Sequence, residues 1–118
     1  MTRKLDLSQI LKTFEGNDIT KEDRVTPFSF KDGLLTYLRN ASRMGINDNE
    51  QNTAYILGVL IGQSEGDIEI SSEQYDCLKK LADFGKVKLP NGQIDEIWQS
   101  IEIKLQLKTL IDSAEIKS

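Results

Sequence analysis

The sequence predicts a mainly α domain, a small bundle of about four helices preceded by a short irregular or β-like N-terminal segment. Three observations carry that prediction. Helix-start signatures occur at Ser29, Asn47 and Ser71, apolar residues recur at three- and four-residue spacing behind each, and Gly45 and Gly85 stand where helices should stop. The length of 118 residues suits a single domain, divided here into an arm (1–28), a helical core (29–102) and a C-terminal helix extension (103–118).

The arm, "LDLSQILKTFEGNDI", spaces Leu5, Leu7, Ile10, Leu11 and Phe14 irregularly and then signals a turn at Gly16, Asn17 and Asp18. It reads as a short strand or helical turn leading into a hairpin-like excursion, followed by the polar loop "TKEDRVT". A first helix over 29–42 begins with Ser29 and Asp32 as a capping box and buries Phe30, Leu34, Leu35, Leu38 and Ala41. A second, over 48–63, starts at Asn47 with Glu50 and carries Ala54, Leu57, Leu60 and Ile61.

That second helix places Gly58 and Gly62 inside its most apolar run, "AYILGVLIG", at about 1 kcal/mol each relative to alanine. Four apart, they share a face, and the expected use is the close crossing of a neighbouring helix, with a homodimer contact or a ligand cleft as alternatives. "GDIEI" alternates and reads as a bridging strand or extended chain. The third helix, 72–84, has Ser71 as cap, Gln74 at its third position and Gly85 as terminator.

After the turn-rich "KVKLPNGQ", a fourth helix is expected over 93–114, with a strand as the competing reading of the alternating "IEIKLQLK". Its first half gathers Ile94, Ile97, Trp98, Ile101 and Leu105 on one side, and its second half gathers Ile103, Leu107, Leu110, Ile111 and Ala114 on nearly the opposite side. One neighbour cannot bury both stripes, so either the helix crosses from one packing partner to another or its C-terminal half carries an interface. The expected core is Leu34, Leu38, Leu57, Leu60, Leu78, Leu81, Ile94, Trp98 and Ile101.

Composition excludes more than it identifies. The chain has no histidine and one cysteine, Cys77, which removes imidazole catalysis, standard structural zinc sites and an intramolecular disulfide. Counting from Asp67, the calcium-loop template meets Ser72 and Leu78 where glycine and glutamate are needed, and no phosphate-loop lysine follows the glycines. No cofactor is implied, and a non-enzyme is expected.

The net charge of −4 is concentrated in residues 65–85, which hold six acids and two lysines; Glu65, Asp67 and Glu69 lead that run. It reads as a solvated segment with acids near a helix start or as an acidic patch for a basic partner, and it disfavours direct nucleic-acid binding. The longest apolar run is nine residues, too short for a membrane span, and "MTRKLDLSQ" is too polar for a secretory signal, so a cytoplasmic location is the default.

The segments "DLSQILKTFEGNDI", "FSFKDGLLTYL", "GDIEISSEQYDCLKKLADFG" and "GQIDEIWQSIE", in that order, resemble a loose family of small proteins encoded by tailed bacteriophages and prophages. The resemblance spans about residues 5–102 and implies a setting in the host bacterial cytoplasm, with no catalytic residues to carry over. The chain continues past the point where that pattern ends. The expected function is therefore non-catalytic protein binding, through Ile103, Leu107, Leu110 and Ile111 and the acids Glu65, Asp67 and Glu69. The partner would be a phage structural protein, a host protein or a second copy, and the role that of an assembly accessory such as a tail assembly chaperone, or of an inhibitor of host defence. The alternative is an acidic nucleic-acid mimic.

Overall fold

A computed structural model describes residues 2–117, with side chains described for 2–114. Along the chain lie β1 (Thr2–Asp6), α1 (Phe30–Arg39), a 3₁₀ turn (Ala41–Arg43), α2 (Asp48–Gly62), β2 (Asp67–Ser71), α3 (Ser72–Phe84), β3 (Lys86–Lys88), β4 (Ile94–Glu96), α4 (Ile101–Asp112) and β5 (Glu115–Lys117). The strands form two antiparallel sheets, one ordered β2-β1-β5 and the other a β3-β4 hairpin. The architecture is α+β, which corrects the expected mainly α bundle.

Alternation explains the larger sheet. In register with one another, Arg3 and Leu5 of β1 and Ile68 and Ile70 of β2 share the inner face, while Lys4, Asp67 and Glu69 share the outer one. Leu5 and Ile70 are buried, and the Arg3 guanidinium lies 3.9 Å from the centre of the Tyr75 ring on α3. Between β1 and α1 the chain folds into a meander, held by Leu11 N–H to the Phe28 carbonyl, Ile19 N–H to Leu11 and Phe28 N–H to Ile19. This is the hairpin-like excursion expected of the arm.

All three capping boxes form as the spacing predicts, at Ser29 with Asp32, Asn47 with Glu50 and Ser71 with Gln74. Gly85 closes α3 in the left-handed region at φ 62°, a conformation costly for residues with a Cβ. α1 ends at Arg39, sooner than the expected 42, and the 3₁₀ turn takes over its last residues. α1 packs on α2, α3 and α4, and one hydrophobic cluster runs from Leu5 to Ala114.

The expected helix over 93–114 is overturned. Residues 94–96 are strand, and α4 starts only at Ile101, where the Ser100 hydroxyl accepts the Ile103 N–H. The turn around Pro90, Asn91 and Gly92 folds the preceding residues back as a hairpin, so the apolar phase of Ile94 and Ile97 does not continue into α4. Freed from it, α4 buries its own stripe. Leu107 and Ile111 are 0% exposed and Ile103 and Leu110 are partly buried against the core, whereas Ile94, Ile101 and Leu105 are exposed. Leu60 is also exposed, and Trp98 is half-buried, edge-on to Phe28 and Tyr37.

Close helix crossing occurs at a different glycine from the expected pair. A Cβ on Gly58 would stand 3.8 Å from Leu38 and one on Gly62 4.0 Å from Leu35, ordinary contacts that need no glycine. At Gly33 of α1 a Cβ would fall 2.8 Å from Leu107 Cδ1 and closer still to Cδ2. Leu107 is fully buried, so any shift of its side chain must be made against the packed core around it.

Gly33→Ala should therefore lower stability by about 1–2 kcal/mol, an overpacking cost of up to about 3 kcal/mol outweighing a helix-propensity gain of about 1. Gly58→Ala should instead raise stability by about 0.5–1 kcal/mol. Urea unfolding of the two variants measures both; equal effects would contradict the packing described. Leu107→Asp, which buries a carboxylate in the core, should leave no cooperative unfolding transition at neutral pH.

Candidate functional site

From Gln51 to Ser64 the sequence carries no charged residue. α2 occupies most of that run and turns Ala54, Leu57 and Ile61 into the core, one face of a helix at three- and four-residue spacing. The opposite face shows Tyr55 (73% exposed), Ile56 (52%), Val59 and Leu60, neighbours one and four residues apart. Such a contiguous apolar surface without ionic groups is uncommon on a solvated helix.

Beside this face the absent side chains of Gly58 and Gly62 leave a groove of about 400 Å³ between α1 and α2. Leu35 and Leu38 wall one side and Tyr55 and Val59 the other, with Arg39 at the rim. The glycines thus keep a channel open at the surface instead of drawing two helices together.

Two further apolar surfaces are present. Phe14, Ile101 and Leu105 are exposed around a cleft of about 280 Å³, where the meander meets α4. Phe84 and Ile94 border a groove of about 420 Å³ between the 3₁₀ turn, the end of α3 and the β3-β4 hairpin.

The residues assigned to an interface from sequence do not come together. Leu107, Ile111, Leu110 and Ile103 belong to the core or its edge. Glu65 is exposed beside the β1-β2 sheet, and Asp67 and Glu69 lie on its outer face, where Lys4 approaches Asp67 at 3.0 Å. Within the acid-rich segment, Asp83 meets Lys108 at 3.5 Å, while the segment's two lysines face acids outside it, Lys80 to Glu50 and Lys79 to Asp112, each at 2.8 Å.

Chemistry is sparse among the described residues. No group of three or more metal-ligating side chains is arranged to hold an ion. Cys77 is buried, its thiol pKa raised by that burial and then by the nearby Glu50 charge, which disfavours the reactive thiolate. Burial likewise raises the Tyr37 phenol, and neither its hydroxyl nor Trp98 Nε1 has a hydrogen-bond partner among the described residues. Among the described residues no helix is long and apolar enough to cross a membrane.

Four carboxylates among the described residues, Asp6, Asp23, Asp32 and Glu50, are held low by hydrogen bonds, Asp6 by Ser8 and Glu50 by Lys80 and the Asn47 N–H. Asp23 falls to about 2 because the Thr26 hydroxyl and the backbone N–H groups of Val25 and Thr26 all donate to it. For Asp32, partial burial pushes the pKa up, but the backbone N–H and hydroxyl of Ser29 and the Lys21 ammonium at 3.3 Å outweigh it, and the net shift is downward.

Compared with known proteins, the chain matches no family model, no curated protein and no solved structure at a significant level. The reading of function therefore rests on these surfaces.

A depressed folded-state pKa gives Asp32 a stabilising contribution that is complete above the unfolded carboxylate value and is lost as pH falls through the folded one. Stability should decline on acidification below about pH 4, and Asp32→Asn should lower neutral-pH stability while flattening that acid limb. Urea midpoints taken from pH 7 downward test this; parallel curves for the two proteins would refute the assignment.

Proposed function

We propose that the chain is a non-catalytic protein that acts by binding another protein through the exposed face of α2 and the glycine-floored groove beside it. One observation carries the reading: Tyr55, Ile56, Val59 and Leu60 form an exposed apolar face inside a run without charge. A surface whose exposed α2 residues carry no charge, with Arg39 as the ionic group at the groove's rim, matches a partner surface that is itself largely apolar. Tyr55 is the natural anchor, because a large ring with a polar tip is the kind of residue on which interface energy concentrates.

The bacteriophage resemblance supplies the setting, the cytoplasm of an infected bacterium, and two partner classes: a structural protein of the assembling particle or a host protein of a defence system. An acidic nucleic-acid mimic has less in its favour, since Lys4 pairs with Asp67, Lys108 pairs with Asp83, and the chain carries fifteen lysines and arginines with a net charge of only −4.

Site-specific photocrosslinking tests the reading. A photoreactive residue replacing Tyr55 should yield one discrete adduct in infected cells, and the same residue replacing the exposed loop residue Glu22 should yield none. The adduct's mass and composition separate a second copy, a particle protein and a host protein. No adduct from position 55, or identical adducts from both positions, would overturn the assignment of this face.

A further inference from the structure

We propose that the groove between the 3₁₀ turn, the end of α3 and the β3-β4 hairpin is a second, independent docking site. Its occupant is an extended acidic peptide segment of a partner that inserts apolar side chains between Phe84 and Ile94. Three observations converge on that ligand. The groove is about 420 Å³ and its exposed apolar walls are Phe84 (41% exposed) and Ile94 (59%), with Leu89 and Pro90 at the hairpin turn. This is room for one or two side chains.

Its charged lining is entirely basic. Arg43 and Lys88 border the groove, no acidic residue does, and Lys86 lies two residues from Lys88 on the same face of β3. Lys79 faces Asp112 and Lys104 faces Glu96, whereas Arg43, Lys86 and Lys88 make no ion pair among the described residues. Arg43 bonds only the Asn40 side-chain oxygen, at 3.1 Å, leaving most of its guanidinium donors available. Of the acids nearest Phe84 and Ile94 along the chain, Asp83 is held by Lys108, Asp95 lies on the opposite face of the hairpin from Ile94, and Glu96, on the same face as Ile94 and opposite Lys86, is engaged by Lys104 at 3.2 Å. In a chain of net charge −4, this is a local basic surface complementary to carboxylates.

The hairpin also offers backbone. Leu89 N–H donates to Gln93 at 2.7 Å and Ile97 N–H to Gly85 at 3.0 Å. By alternation, the peptide groups of Lys86, Lys88, Ile94 and Glu96 turn outward, and no third strand covers either edge among the described residues. An extended segment can therefore pair with an edge while its alternate side chains enter the groove.

The experiment uses the full chain and a fluorescein-labelled hexapeptide, Asp-Asp-Leu-Phe-Asp-Asp, followed by fluorescence anisotropy. Saturable binding is expected, at least tenfold weaker for Lys-Lys-Leu-Phe-Lys-Lys and for Asp-Asp-Ala-Ala-Asp-Asp. Arg43→Glu with Lys88→Glu should weaken it at least tenfold with an unchanged circular dichroism spectrum, since neither side chain is buried or ion-paired. Phe84→Ala should weaken it independently of charge. Tyr55→Glu, on the α2 face, should leave it unaltered, so failure here and failure of the α2 reading are distinguishable. Equal affinity for the lysine-flanked peptide, binding that survives the double substitution, or no saturation by about 1 mM would overturn the proposal.

Discussion

The placement of Leu107 against the bare backbone of Gly33 is the constraint on which the rest of the molecule depends. It lets α4 lie directly on α1, and α4 then organises both ends of the chain. Toward its N-terminus, Glu102 accepts the Phe14 N–H at 2.6 Å and Gln106 accepts the Lys12 N–H at 2.9 Å while returning a hydrogen bond to the Lys12 carbonyl, which pins the meander. Toward its C-terminus the helix delivers β5 to β1, making the strand nearest the chain's start the centre of a sheet. A displaced α4 would release both attachments together, since they are made by one rigid element.

Local chemistry was legible and long-range geometry was not. A capping box is written within four residues, so Ser29, Asn47 and Ser71 could be read directly, as could Gly85, whose left-handed conformation follows from its position behind an apolar face. The strands escaped because they are three to five residues long, and because β1 pairs with segments more than sixty positions away. Alternation in "GDIEI" hinted at β2 but could not name its partner. The fourth helix failed for a related reason: phase can be extrapolated only along one continuous helix, and the hairpin at Pro90 to Gln93 breaks it. With the phase lost, a buried stripe and an exposed one were exchanged.

The glycines carry the same lesson about surfaces. Gly58 and Gly62 stood out because they interrupt an apolar run, and Gly33 did not, although it is the one that packing requires. Spacing shows that two glycines share a face but not whether another backbone or solvent lies opposite. The charge-free stretch of α2 was visible in the sequence, whereas its division into a buried side at Leu57 and an open side at Tyr55 depends on where α1 and α3 lie. The acids were visible too, but the meeting of Asp67 with Lys4 and of Asp83 with Lys108 was not.

Net charge and local charge act over different distances. At physiological ionic strength fields fade over about 8 Å, so the overall −4 is weak at the range of a diffusing partner and the field of a few nearby residues dominates on contact. An acidic segment would reach Arg43 and Lys88 without long-range steering, and its capture would depend on fit at the groove more than on a fast encounter. The exposed face of α2 itself carries no ionic group, and Arg39 stands at the rim of the groove beside it. A partner for it gains from apolar area, and discrimination must come from shape, where the glycine-floored groove distinguishes a protruding side chain from a flat surface. Two surfaces with such different chemistry would suit two different ligands, and under the two proposals occupation of one would leave the other open.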